Sequence, residues 1–161
     1  NLDDIKIGRI VKISGQFRSY NLQTETKNRL VLSIFVKEIE FTDDKSILTL
    51  NDANFIGYIC KEPVYRKTPL GREIADVLLA VNRAYNKSDY IPTIAWGRNS
   101  RFCKTLEVGD NIKVWGRLQS REYQKKISET ETVKKIAYEV SISKMERSKR
   151  EESNAHEEGA V

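Results

Sequence analysis

Histidine and cysteine are nearly missing from this chain, which holds one histidine and two cysteines in 161 residues. The histidine, His156, lies in a polar tail, so an imidazole-based catalytic arrangement and a zinc centre are both excluded. Cys60 closes an apolar run, Phe55-Ile56-Gly57-Tyr58-Ile59-Cys60, and Cys103 falls in a short helix-like segment. Neither has a neighbour at metal-ligand spacing, and two reduced, buried thiols are the expectation. No carboxylate pair, no nucleophile beside a base and no glycine-rich phosphate loop is visible. Asp43-Asp44 sits in a linker and Glu151-Glu152 in the tail, where solvated charge is the plain explanation. Neither an enzyme nor a cofactor is expected. Long apolar runs are lacking too: none approaches the roughly 20 residues a membrane helix needs. No signal-peptide pattern opens the chain, so a cytoplasmic protein without a membrane partner is expected. The first residue is Asn1 rather than methionine, which reads as a fragment or a trimmed start.

What is present, first of all, is a repeat. Gly8-Arg9-Ile10-Val11-Lys12-Ile13-Ser14-Gly15 returns as Gly109-Asp110-Asn111-Ile112-Lys113-Val114-Trp115-Gly116. Each copy runs on into a polar-aromatic strand that reaches a tyrosine, Tyr20 or Tyr123, and each is followed by a second alternating strand, at 30–41 and at 136–146. Internal repeats decide architecture, so they are weighed before single motifs. The second copy has a full set of strands upstream of it and the first does not.

Element by element, strands are expected at 7–20 and 29–41, then a linker at 42–46 and a short edge strand at 47–50. A second unit follows: a strand at 54–60 continued at 64–67, a turn at Thr68-Pro69-Leu70-Gly71, and a long strand at 72–85. A turn at 86–89, a strand at 90–97, a short helix at 100–106, and strands at 112–123 and 133–145 complete it. Three strands, a short helix and two strands is the order of an OB-fold, a five-stranded Greek-key barrel. The fold class is therefore all-β: residues 1–50 form the C-terminal half of a first OB-like module plus linker. Residues 51–146 form a complete OB-fold module, and 147–161 a polar tail expected to be disordered.

The net charge of +5 is unevenly spread. Residues 1–52 carry eight Lys and Arg against eight Asp and Glu, whereas 53–146 carry seventeen against eleven. The whole excess lies on the complete module, as expected if that module meets a polyanion.

Side chains alternate across a strand, so parity assigns faces. In the repeat strand Ile112, Val114, Gly116 and Leu118 point one way, as core. Lys113, Trp115, Arg117, Gln119, Arg121 and Tyr123 point the other. Cations interleaved with aromatics suit single-stranded nucleic acid, because cations follow phosphates and each unpaired base offers a face for stacking. A solvated outer face has the same pattern. Tyr90 and Trp96 share a parity with Ile94 between them, which also fits a core face. Arg83 precedes Tyr85 by two residues, placing cation and aromatic on one face of the strand. In the first copy Lys12, Ser14, Gln16, Arg18 and Tyr20 form the outer face, with Ser14 where the second copy has Trp115. That half is expected to be scaffold first and binding surface second.

Asn54-Phe55-Ile56-Gly57, Glu62-Pro63-Val64-Tyr65-Arg66 and Thr68-Pro69-Leu70-Gly71 resemble the opening of bacterial single-stranded DNA-binding proteins. The likeness continues through Leu79-Ala80-Val81-Asn82-Arg83, Ala95-Trp96-Gly97-Arg98 and Val114-Trp115-Gly116-Arg117-Leu118-Gln119-Ser120-Arg121-Glu122-Tyr123. It spans residues 53–146, in order. The resemblance implies OB modules that coat single-stranded DNA without sequence preference, in replication, recombination or repair, assembled as oligomers of four modules. It carries Tyr85, Tyr90, Trp96 and Tyr123 over as stacking residues, with tyrosine replacing tryptophan at several of them. To these the outward face adds Trp115, and the candidate phosphate contacts are Arg66, Arg83, Arg98, Lys113, Arg117 and Arg121. Two departures stand out. The extra half module makes the chain look like a tandem-module relative, expected as a dimer of tandem modules or a tetramer-like assembly, nucleoid-associated. The C-terminal Glu157-Glu158-Gly159-Ala160-Val161 lacks the family's acidic-hydrophobic tip, which puts recruitment of replication or repair proteins by that route in doubt. A rival reading is an OB-fold interaction protein that uses the same face to assemble, with weak or no DNA binding. RNA in place of DNA stays open, since stacking does not read the sugar.

Overall fold

The structure, a computed structural model, describes residues 2–148. Apolar and polar residues alternate through most of them, and strands form accordingly. A hairpin of β1 (Ile10–Gln23) and β2 (Asn28–Thr42) comes first. Then follow β3 (Ala53–Ile59), β4 (Val64–Lys67), β5 (Glu73–Arg83) and β6 (Lys87–Trp96), a short helix α1 (Arg98–Cys103), β7 (Asn111–Lys126) and β8 (Thr132–Arg147). The main sheet runs β3-β7-β8-β6-β5-β4, and β3 pairs with β5 as well. That extra pairing closes β3, β7, β8, β6 and β5 into a barrel and leaves β4 as a flap on β5. β6 and β8 run parallel; the other pairings are antiparallel. This is the five-stranded OB-fold barrel with its short helix.

Inward side chains fill the barrel: Ile59, Val77, Leu79, Ile91, Ile112, Val114 and Val140 are fully shielded from water. The helix packs on β5, β6 and β8, and its Cys103 places Sγ 3.7 Å from Met145 Sδ. Burial pushes that thiol up to about 12, so it stays protonated and inert at neutral pH.

The sequence repeat is also a repeat of geometry. The β1–β2 register shifts between Ser14 and Gly15, and the β7–β8 register shifts between Trp115 and Gly116. Both bulges thus fall at the same place in the repeated motif, and the glycine is required there. A Cβ on Gly15 would collide with the Phe35 carbonyl oxygen, and one on Gly116 with that of Ser141.

The first hairpin leans on the barrel. The Phe17 and Phe55 rings lie 6.2 Å apart at 54°. The Ser19 N–H donates to Asp89 Oδ1 at 2.9 Å, and the Tyr90 N–H donates to Ser19 Oγ at 2.7 Å. A cleft of about 800 Å³ separates the two bodies elsewhere, lined by Val11, Ile13 and Ile34 on one side and by Phe55, Val81 and Leu118 on the other. At its edge Asn51 reads the β7 backbone with its side chain, accepting from the Leu118 N–H at 2.9 Å and donating to the Leu118 carbonyl at 2.8 Å.

Several boundaries differ from the sequence expectation. The edge strand expected at 47–50 is instead part of a 3-10 turn, Lys45–Thr49. Asp44 caps it by accepting the Ser46 N–H at 2.9 Å, which curls the chain rather than extending it. The strand expected to run to Tyr85 ends at Arg83, and the turn expected at 86–89 lies at 84–86, where Tyr85 and Asn86 have φ of 65° and 56°. Lys87 to Asp89 are drawn into β6 because Arg83 pairs with Lys87 across the ladder and Asp89 is anchored. The helix begins at Arg98, two residues early. β8 runs one residue past 146, and the Arg147 guanidinium reaches the Thr105 carbonyl. The rest of the expected tail, from 149, lies outside the described residues. Among the described residues no helix is long and apolar enough to cross a membrane.

Candidate nucleic-acid interface

One continuous outward face of the barrel collects most of the expected site. On β7, Lys113, Trp115, Arg117, Gln119, Arg121 and Tyr123 share a parity, opposite the core residues Ile112 and Val114. Arg117 lies opposite Ser141 on β8, and Ser141 neighbours Ile94 on β6. Trp96 joins from β6, its Nε1–H donating to Ser141 Oγ at 3.2 Å. Tyr90 shares that side of β6. Trp96, Trp115, Tyr90 and Tyr123 therefore belong to a single surface.

Two lysine ammonium groups flank the Trp115 ring. Lys113 Nζ lies 4.8 Å and Lys144 Nζ 4.6 Å from its ring centroid. Lys144 was not singled out from the sequence. It reaches Trp115 because the bulge skips Ser143, so that Trp115 faces Lys144 directly. The repeated Gly-containing motif was the one signal that could have pointed to it.

The arginines divide into two groups. Among the described residues, Arg98 at the start of α1 and Arg117 on β7 are exposed and take part in no ion pair. The other three are engaged by carboxylates. Arg66 Nε lies 3.1 Å from Asp76 Oδ2, a pair open to solvent and worth about 0–1 kcal/mol. Arg121 Nε lies 2.6 Å from Glu139 Oε1, which also accepts from Gln119 Nε2 at 3.1 Å. Glu139 is buried, and its hydrogen bond is the leading reason that the Arg121 guanidinium is held above its ordinary pKa. Without Arg121, buried Glu139 would keep only the Gln119 amide against its charge, so the first role of Arg121 is to neutralise that carboxylate.

Arg83 departs from the expectation. It has the inward parity of Leu79 and Val81, and its Nε lies 2.7 Å from Oδ2 of buried Asp89, without an aligned N–H. It is not on a common strand face with Tyr85, because Tyr85 has left the strand for the turn. Tyr85 itself is 94% exposed. Ile94, on the outward parity of β6, is buried nevertheless, so that face has a packed floor between its aromatics.

The model of the single-strand binding protein family matches residues 50–148. The chain belongs to this family. Among curated relatives, the single-stranded DNA-binding protein A of Bacillus subtilis is 34% identical over 82 residues, covering 47% of this chain and 48% of that protein. Single-stranded DNA-binding protein 2 of Listeria innocua is 30% identical over 95 residues, covering 52% and 60%. The chain thus spans about half the length of the curated relatives it matches. Among solved structures, the wild-type single-stranded DNA binding protein from Thermus aquaticus superposes with a TM-score of 0.74 at 20% identity, covering 92% of this chain and 63% of that one. That likeness extends beyond the family match and takes in the β1–β2 hairpin, and it speaks to the fold. Among the described residues no group of His, Cys, Asp or Glu is placed to hold a metal ion.

Proposed function

We propose that the barrel, residues 51–146, binds single-stranded DNA without sequence preference, in replication, recombination or repair. The observation that carries this is Trp115 with Lys113 and Lys144 over its ring, on the outward face that also bears Trp96, Tyr90 and Tyr123. An exposed cation–π contact is worth about 0.5–1 kcal/mol, whereas stacking a base is worth about 1–3 kcal/mol. A base therefore displaces an ammonium from the indole, and the released lysine meets the adjoining phosphate. Arg98 and Arg117 extend the phosphate track, with Arg66 recruited from its weak pair. The names of the relatives point the same way. Titration with oligo-dT tests the reading: tryptophan emission falls, and affinity drops steeply and linearly in log-log against salt. Unchanged emission at micromolar protein in low salt refutes it.

We infer further that β1–β2 is the closing hairpin of a second OB module. Its support is the shared bulge and the shared glycine in β1–β2 and β7–β8. Two such modules per chain make a dimer equivalent to an assembly of four modules, which light scattering on the full protein measures directly.

A further inference from the structure

We infer that Ser19 and Asp89 are positioning residues for the stacking surface, through which the first hairpin holds the β5–β6 turn in its binding geometry. This rests on the single-stranded DNA reading above. β6 pairs with β8 only at Thr93 and Ile94, so the stretch of β6 before Thr93 has an edge that β8 leaves open. Ser19 occupies it reciprocally. Its hydroxyl accepts the Tyr90 N–H at 2.7 Å, and its own N–H donates to Asp89 Oδ1 at 2.9 Å. The other carboxylate oxygen of Asp89 lies 2.7 Å from Arg83 Nε. Asp89 is a carboxylate 2% exposed, and a buried charge is retained only where partners compensate it.

The location of this joint gives it a function. Arg83 and Lys87 pair at the base of the turn, so the Arg83–Asp89 pair spans the turn like a crossbar. Above it Tyr85 and Asn86 hold φ of 65° and 56°, the left-handed region, which is unfavourable for a bulky side chain and persists only where the surroundings fix it. Tyr85 is one candidate stacking residue. Tyr90, whose N–H is the one held by Ser19, is another. A barrel deprived of the joint keeps its core, whose inward residues lie on other positions, but frees the turn to return Tyr85 to negative φ and swing its ring away.

The test uses the full chain with Asp89→Asn and Ser19→Ala, each alone and in a Tyr85→Ala/Tyr90→Ala background. Each weakens oligo-dT binding by about fivefold, the equivalent of one lost buried hydrogen bond. Amide exchange at 84–87 accelerates with no DNA present. In the double-alanine background the same substitutions change affinity less than about twofold, because the groups they position are gone. Equal losses in both backgrounds, or a lower urea midpoint with affinity and turn exchange unchanged, overturn the inference. If Asp89→Asn does not fold, Ser19→Ala carries the test, since it removes one oxygen outside the barrel. Wild-type protein that binds oligo-dT alongside variants that bind equally well sinks this inference alone. Wild-type protein that ignores oligo-dT sinks the DNA reading too.

Discussion

The two hairpins of the repeat have the same bulge and the same obligatory glycine, yet their environments are opposite. In β7–β8 the inward residues Ile112 and Val114 are 0% exposed; in β1–β2 their counterparts Val11 and Ile13 are each 40% exposed. β3, β5, β6 and α1 supply the difference: they enclose the inward face of β7–β8, whereas β1–β2 meets the barrel at Phe17 and Ser19 and leaves Val11 and Ile13 open. The outward faces differ as sharply. Where the barrel sets Trp115 opposite Lys144, the first hairpin sets Ser14 opposite Glu38, with the serine hydroxyl donating to the carboxylate at 3.1 Å. An indole beside a cation has as its counterpart a small hydroxyl beside an anion. Shared backbone geometry thus specifies a hairpin, while a core and the proposed binding face require residues that only the second copy has.

Substitutions at matched positions test that contrast. Ile112→Ala should cost about 2–5 kcal/mol in urea unfolding, and Val11→Ala less than about 1 kcal/mol. Comparable losses would show that the first hairpin's apolar face is covered in solution, as a completed second module requires. Gly116→Ala should cost about 1–3 kcal/mol, since relief of the clash with the Ser141 carbonyl needs a strand shift. It should also quicken iodoacetamide labelling of Cys103, whose thiolate is scarce below its pKa of about 12 while the barrel stays shut. Gly15→Ala should distort only the hairpin and leave Cys103 protected; labelling in that variant would mean that the hairpin supports the barrel. Trp115→Ala should weaken oligo-dT binding by about 1–3 kcal/mol in a fluorescence anisotropy titration, with Ser14→Ala nearly silent. The one expected gain is small: Ser14→Trp with Glu38→Lys should add at most about 1 kcal/mol to oligo-dT affinity, the low end of base stacking. No gain would mean that DNA does not reach the first hairpin.

Much of this was legible in the chain because period-2 alternation is a direct record of a half-buried strand. Ile112, Val114 and Leu118 on one side, and Lys113, Trp115 and Arg117 on the other, were separable by parity. The limits of that reasoning are equally physical. Parity distinguishes in from out only while a strand lasts, so Tyr85 was misplaced once the chain turned at Ala84. Lys144 was invisible because a bulge skips Ser143 and resets which residues face each other. Arg83, Arg66 and Arg121 read as free cations because a sequence does not display the carboxylates that fold against them: Asp89, Asp76 and Glu139 come from other strands or from across a turn. Ser19, a small polar residue amid others, gave no sign that it would close an open strand edge.

The barrel's circumference is fastened unevenly. β7 and β8, each sixteen residues long and separated only by 127–131, share a ladder over nearly their whole length, and hairpins of this local kind assemble in about 1–10 μs. The β3–β5 seam rests on two residue pairs, Tyr58 with Ala80 and Ile59 with Leu79. The β6–β8 seam is as short, two pairs at Thr93 and Ile94, so the cylinder is a cuff with one long ladder and two narrow clasps. Because β3 meets β7 along a separate ladder from Ala53 to Tyr58, and β7 meets β8 along its own, neither clasp is what keeps Trp115 in register with Lys144.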